Sequence, residues 1–454
     1  MRIDFRKGIL AMPLILMFEP APAQDDIAAL RAELEQLRAE YEVRIDALER
    51  RLAVAEQNAM QANAAVSQLA SEPAAAPSPA PRAQAGIGDS TFNPAIGVIF
   101  EGTAWRYGED PEDYAIQGFP LGGETGPRAE GLALGETEID MSANVDDKFT
   151  AFLTAGIHIE DGEAHFDIEE AWLETLALPG GFSARFGRFF SGIGYLNDKH
   201  RHAWDFADQP LAYQALLGDQ YIDDGVQLRW IAPTALYVEV GAELARGGRY
   251  PAAGAARSGV GARSLFLNVG GDVGSDHSWL AGISWLDAKS VDREAGPEDE
   301  PLSFTGDADV AIAELVWKWA PNGNWRQENF VFQAEYLWRS EDGFYDLPGL
   351  GTLPYDAKQR GWYAQAVYQP FPRWRFGARI DGLSADDPGP LFAGTLLEAP
   401  ADDPRRYTVM LDWSNSEFSR LRFQYARDDA GFDDESHWGL QYILSIGAHG
   451  AHTF

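Results

Sequence analysis

Between residues 136 and 160 apolar and polar side chains trade places at every step. Ile139, Met141, Ala143 and Val145 alternate with Glu138, Asp140, Ser142 and Asn144. After Asp146-Asp147, Phe149, Ala151, Leu153, Ala155, Ile157 and Ile159 continue the apolar row while Thr150, Thr154, His158 and Glu160 keep the polar one. A period of two sends successive side chains to opposite faces of a strand, so this stretch predicts a hairpin with one apolar and one wet wall. Runs of the same kind begin near Ile96 and return near residues 165–176, 182–189, 225–231, 236–246, 264–273, 278–287, 309–319, 329–339, 362–369, 374–383, 406–413, 418–428 and 438–448, about sixteen in all. Their connections alternate in kind. Pro179-Gly180-Gly181, Ala232-Pro233-Thr234 and Phe371-Pro372-Arg373 are tight, whereas 247–261, 288–306 and 340–359 read as long, acidic loops. An even number of strands with short turns on one rim and long loops on the other predicts an all-β protein, a 16-stranded antiparallel transmembrane β-barrel over residues 93–454.

The start of the chain follows other rules. Residues 1–23 carry Arg2, Arg6 and Lys7, an apolar run from Gly8 to Phe18 and then Ala21-Pro22-Ala23, the order of a signal peptide. Over residues 25–70 the apolar positions step by three and four, through Ile27, Leu30, Leu34, Leu37 and Tyr41, then Ile45, Leu48 and Leu52, with one stutter and no Pro or Gly. That spacing predicts an N-terminal α-helical coiled coil, placed in the periplasm by the export signal, and hence self-association. Residues 71–92 form a Pro/Ala-rich linker, extended and semi-rigid.

Composition sharpens the barrel reading. The chain has 46 glycines, 12% aromatic residues and a formal charge of -34. A wall that is apolar on one side and polar on the other reconciles many aromatics with a low mean hydropathy. Trp279, Trp285, Trp317, Trp319, Trp338 and Trp413 fall near strand ends, where interfacial girdles form. Counting back from Phe454 by twos, Ile446, Leu444, Tyr442, Leu440 and Trp438 share its face. The negative charge argues against nucleic acid as a partner. The absence of cysteine removes disulfides and thiolate chemistry together.

One connection stands apart. Residues 190–221 lack strand alternation and hold Tyr195, Asp198, Lys199, His200, Arg201, His202, Trp204, Asp205 and Asp208. So many aromatics argue against disorder, and such length argues for a functional loop, so a constriction loop folded into the lumen is expected. Lumen parity also gathers acids, Glu136, Glu138, Asp140 and Glu160 with Glu169, on the N-terminal side. Arg373, Arg375, Arg379, Arg406, Arg420 and Arg422 form a ladder on the C-terminal side, with Asp381, Asp412 and Asp428 as candidate partners. The lumen assignment follows because charge on the lipid face costs about 2 to 4 kcal/mol at mid-depth. Two opposed walls of unlike charge would line a channel for small polar or charged solutes and ions.

The order of coiled coil, Pro/Ala linker and barrel, with the long loop third on its rim, resembles the trimeric outer-membrane porins of the phosphate-selective porin O/P-like superfamily with an N-terminal coiled coil. That resemblance implies a homotrimer in the outer membrane of a Gram-negative cell, in contact with its lipid, acting as a passive diffusion channel. The block GRFFSGIGYLNDKHRHAWDFADQPLAYQ, Gly187 to Gln214, is also similar to proteobacterial outer-membrane proteins described as zinc-regulated.

Two other readings use the same residues. Asp198, His200 and His202 alternate, so in an extended segment they would project together, and imidazole with carboxylate suits a transiently held Zn2+ and hence divalent-metal uptake. The coiled coil could also serve as a structural envelope tether. Enzymatic activity is not expected, because no Ser-containing elbow accompanies His158 and His165, and no resident cofactor is implied.

Overall fold

The computed structural model describes residues 94–447 apart from 123–124, 161–162, 255–258, 298–299 and 432–434. The signal peptide, coiled coil, linker and Phe454 lie outside the described residues, as do the side chains of 159, 160 and 163. The described strands are β1 Ala95–Arg106, β2 Gly131–Leu134, β3 Thr137–Asn144, β4 Phe149–Glu160, β5 Glu163–Thr175, β6 Phe182–Phe190, β7 Ile222–Ile231, β8 Tyr237–Ala245 and β9 Ala262–Val273. They continue as β10 His277–Ala295, β11 Leu302–Trp319, β12 Asn329–Leu347, β13 Gly351–Phe371, β14 Trp374–Ala385, β15 Arg405–Ser416, β16 Ser419–Asp428 and β17 Glu435–Gly447.

All pair antiparallel in one sheet, and β1 closes it against β17, with Gly97 opposite Gly447. The other edge of β1 pairs with two strands in turn, β3 from Ala95↔Ser142 and β2 from Gly102↔Leu134. Gly135 bridges the break, its N–H donating to Glu101 O at 2.8 Å. β2 and β3 therefore share one place, and the barrel has sixteen strand positions. Closure leaves no unpaired edge, which an apolar solvent would not tolerate.

Burial is inverted relative to a water-soluble protein. Leu421, Phe423, Tyr425, Trp438, Leu440 and Tyr442 are exposed on the outside, whereas Arg422, Gln424, Asp428 and Gln441 are buried inside. Such an outer surface suits hydrocarbon.

Two expected loops are strand instead. The β10–β11 ladder runs on past Ala288↔Ala308, and the β12–β13 ladder past Ser340↔Lys358 to Leu347↔Gly351, leaving only 348–350 as the turn. Towards this rim the outward face also turns polar, with Glu294 and Asp342 exposed, so the apolar-polar contrast fades while the inward face still packs. Leu302, Phe304, Tyr345, Leu347 and Tyr355 join Phe392 and Leu397 there in a buried cluster.

The largest core lies within the barrel. Helix α1, Leu211–Leu217, is buried at every residue and packs on β12, β13 and β14. With Ile193, Leu196 and Trp204 it meets Val310, Ile312, Leu337 and Tyr363 of the wall, and Ile116 and Phe119 from the connection after β1. Each large apolar side chain so buried contributes about 1.5 to 3 kcal/mol.

Candidate functional site

The segment between β6 and β7, residues 191–221, crosses the lumen and is fixed at many points. Asn197 closes it upon itself: its amide donates to Ser191 O (2.8 Å) and Tyr221 O (2.9 Å) and its carbonyl accepts from Tyr221 N–H (2.7 Å). Glu243 on β8 accepts from the Ser191 hydroxyl and from Gly192 N–H (2.9 Å). Glu335 on β12 accepts from Tyr195 N–H and Leu196 N–H, each at 3.1 Å, and from the Tyr213 hydroxyl at 2.8 Å. Gln424 takes Ala207 N–H (2.8 Å) and Asp381 takes Leu211 N–H (3.1 Å). Buried backbone donors need partners, and side chains of the wall supply them.

The charges of the segment divide between two parts of the wall. Its basic turn, Arg201–Ala203 preceded by His200, lies on the acids of β3 and β5. Arg201 pairs with Glu136 (3.1 Å) and with Asp219 from the far end of the segment. His202 Nδ1 lies 2.9 Å from Glu138 Oε1, and His200 Nε2 lies 3.0 Å from Glu170 Oε2. The acids of the segment lie instead on the arginines of β14 to β16. Asp205 pairs with Arg375, and Asp208 with Arg379 (2.9 Å) and Arg406 (3.1 Å). Arg422 donates to Trp204 O at 2.7 Å, and Arg420 donates to His202 O.

Four arginines of the ladder, Arg375, Arg379, Arg406 and Arg422, are thus paired with carboxylates, whereas Arg420 meets a backbone carbonyl. Arg379, Arg406 and Arg422 also pair with Asp381, Asp428 and Asp412 beside them on the wall, and Arg375 reaches Asp412 at 3.5 Å. Arg373 sits exposed in the turn before β14, its backbone left-handed there (φ 77°). The walls are not opposed: β3 and β16 are separated around the barrel only by β1 and β17, so the two charged regions flank the closing seam. Strand parity reports a face and not an angular position.

The remaining candidates divide similarly. Asp140 accepts from the Thr154 hydroxyl (2.8 Å), Lys199 Nζ sits 5.1 Å from the Tyr195 ring centre, and Glu160 ends β4 with its side chain outside the described set. Asp198 does not join the histidines. It is half exposed and its carboxylate lies 3.1 Å from Lys199. His200 begins a tight turn, so the alternation that an extended chain would give is lost.

Glu170 escaped the parity reading because β5 carries a bulge. The β4 pairing steps from Ala155↔Ile168 to Thr154↔Glu170, so Glu169 is an extra residue and both glutamates reach His200. Glu335 and Arg339, which donates to Leu216 O of the segment at 3.2 Å, were legible, since Phe330, Phe332, Ala334, Tyr336 and Trp338 mark the other face of β12.

Between the segment and the acidic wall remains a cavity of about 150 Å³ lined by Glu136, Asp167, Glu169, His200, Arg201 and Asp219. Burial pushes the His200 imidazole down, but Glu138, Glu169 and Glu170 outweigh this and hold it well above the usual histidine range. Burial likewise pushes Asp208 up, and the guanidinium groups of Arg379 and Arg406 overcome it, leaving its carboxyl well below the usual range.

No protein-family model matches the chain. Over 341 residues it is 31% identical to an uncharacterized protein of Aquifex aeolicus (strain VF5), with 71% of this chain aligned to 70% of that one. The chain belongs to that protein's family. Among solved structures it superimposes on a loop L8 deletion mutant of OmpT, an outer membrane protein of Vibrio cholerae. The TM-score is 0.50 at 12% identity, over 79% of this chain and 100% of that one. The outer membrane channel DcaP of Acinetobacter baumannii aligns with a TM-score of 0.49 at 13% identity, over 80% of this chain and 100% of that one. At such identities the likeness to OmpT speaks for the fold, the closed barrel of outer-membrane proteins.

Proposed function

We propose that this family member is an outer-membrane channel for small charged solutes, a porin whose lumen is narrowed by residues 191–221 and which passes cations more readily than anions. The observation that carries this reading is the internal segment, pinned to strands from β3 round to β16 while leaving a cavity along the acids of β3 and β5. A segment fixed so widely sets the narrowest point of whatever path crosses the barrel. Both charged regions of the wall are largely paired with the segment, and the cavity left open is lined by four carboxylates, Glu136, Asp167, Glu169 and Asp219, against two arginines, Arg201 and Arg249, with His158 and His200, an excess of acid that supports the cation preference. The heptads of residues 25–70 support self-association through a periplasmic coiled coil, and the homotrimer is what the resemblance to trimeric porins implies.

The test is conductance in planar bilayers. Deleting residues 196–215 should raise single-channel conductance, and equal conductance would put the segment outside the path. Because the deletion also removes core residues, a gentler probe accompanies it. The chain has no cysteine, so Asp198→Cys can be labelled alone. A bulky thiol reagent should lower the current, and an unchanged current would count against the path.

A further inference from the structure

His200 presents its two ring nitrogens to different partners. Nε2 meets Glu170 Oε2 at 3.0 Å. Nδ1 faces Glu138 Oε2 at 3.4 Å and Glu169 Oε2 at 3.5 Å. Neither of these two contacts has hydrogen-bond geometry. Both His200 Nδ1 and Glu138 Oε2 are buried without a hydrogen-bond partner among the described residues, and Glu138 as a whole is only 2% exposed. Three donor atoms from Glu138, Glu169 and His200 lie within 4.8 Å of one another.

We propose that Glu138, Glu169 and His200 bind a divalent transition-metal cation of the zinc class as cargo of the channel. The contacts of His200 fit: two ligands about 2.1 Å from a tetrahedral metal lie about 3.4 Å apart, against 3.4 Å and 3.5 Å from Nδ1 to the two glutamates. One imidazole with two carboxylates suits zinc and its neighbours, whereas magnesium and calcium take oxygen alone. The surroundings are those of a metal-ligating histidine. The carboxylate of Glu170 orients the ring through Nε2, and His202 holds the second oxygen of Glu138 at 2.9 Å. Room for the carboxylates is built into the wall, since a Cβ on Gly156 would lie 2.9 Å from Glu169 Oε1 and 3.1 Å from Glu136 Oε1. The bulge at Glu169 puts two glutamates beside one imidazole where regular pairing would offer one. Three protein donors leave a fourth position open, as an ion in transit requires.

The inference rests on the channel reading for the word cargo, and on the geometry alone for binding. Full-length protein in detergent is titrated calorimetrically with Zn2+, Mg2+ and Ca2+. One Zn2+ site per chain is expected, with no comparable heat from Mg2+ or Ca2+. Glu169→Gln and His200→Gln should each weaken Zn2+ binding at least tenfold. Glu170→Gln should weaken it by about 10- to 100-fold, while Asp198→Asn leaves it unchanged. Should His200→Gln disturb folding, Glu169→Gln carries the test, because Glu169 bonds no backbone of the crossing segment among the described hydrogen bonds. Absence of saturable Zn2+ binding, or unaltered binding by Glu169→Gln, would overturn the proposal. Conductance of the same preparation is measured separately. A conducting channel without Zn2+ binding refutes this site alone, and Zn2+ binding without conductance refutes the channel.

Discussion

Glu335 is the point at which the crossing segment can be loosened with least damage to the barrel. Its Oε1 accepts from Leu196 N–H (3.1 Å) and the Tyr363 hydroxyl (2.5 Å), and its Oε2 from Tyr195 N–H (3.1 Å) and the Tyr213 hydroxyl (2.8 Å). Glu335→Gln keeps the volume and puts an NH2 in place of one oxygen. Whichever way the amide turns, that NH2 faces one tyrosine hydroxyl, which can rotate to accept, and one backbone N–H, which cannot. One buried donor is thereby orphaned, at a cost of about 1 to 3 kcal/mol. A change of about 2 kcal/mol raises the population of the undocked segment by about 30-fold. The strand ladders of β11 to β13 are untouched, so the barrel should persist. Hydrogen exchange read by mass spectrometry should show faster exchange of the amides of 194–197 by that order, with the β12 and β13 amides unchanged. Current through single channels should also become noisier. Exchange equal to the parent would mean that the apolar contacts of α1 hold the segment without Glu335, and the anchoring argument would fall.

Arg375→Gln removes the partner of Asp205. The zero-current potential in a salt gradient should then shift toward cation preference, most at low ionic strength where screening is least, and no shift would show that the pair lies off the path. Asp208 is held below its ordinary range by Arg379 and Arg406, so its contribution to docking is complete above the unfolded value of about 3.9 and fades as the pH falls through the depressed one. Protection of the 205–211 amides, corrected for intrinsic exchange, should stay level from neutral pH to about 4 and decline below it. Asp208→Asn should abolish that decline, and a decline unchanged in the variant would assign it to other carboxyls. Deleting residues 25–69 should lower the temperature at which the oligomer dissociates in detergent, and an unchanged temperature would make the coiled coil dispensable for assembly.

Period-two alternation is a local property, so the strands, their lumen faces and the unusual connection at 190–221 can be read along the chain. The same holds for the arginines of β14 to β16, whose aromatic neighbours declare the lipid side. Three things required the folded barrel. Where around the ring each strand stands depends on closure, which brings the acids of β3 and the arginines of β16 to the two flanks of one seam. Which charges are satisfied depends on contacts across many residues, such as Asp208 with Arg379 and Arg406. The grouping of Glu138, Glu169, Glu170 and His200 depends on a bulge that breaks the period and on a tight turn that breaks the alternation of Asp198, His200 and His202. Parity assigns a side chain to a face only while the strand stays regular, and the candidate metal ligands meet where it does not.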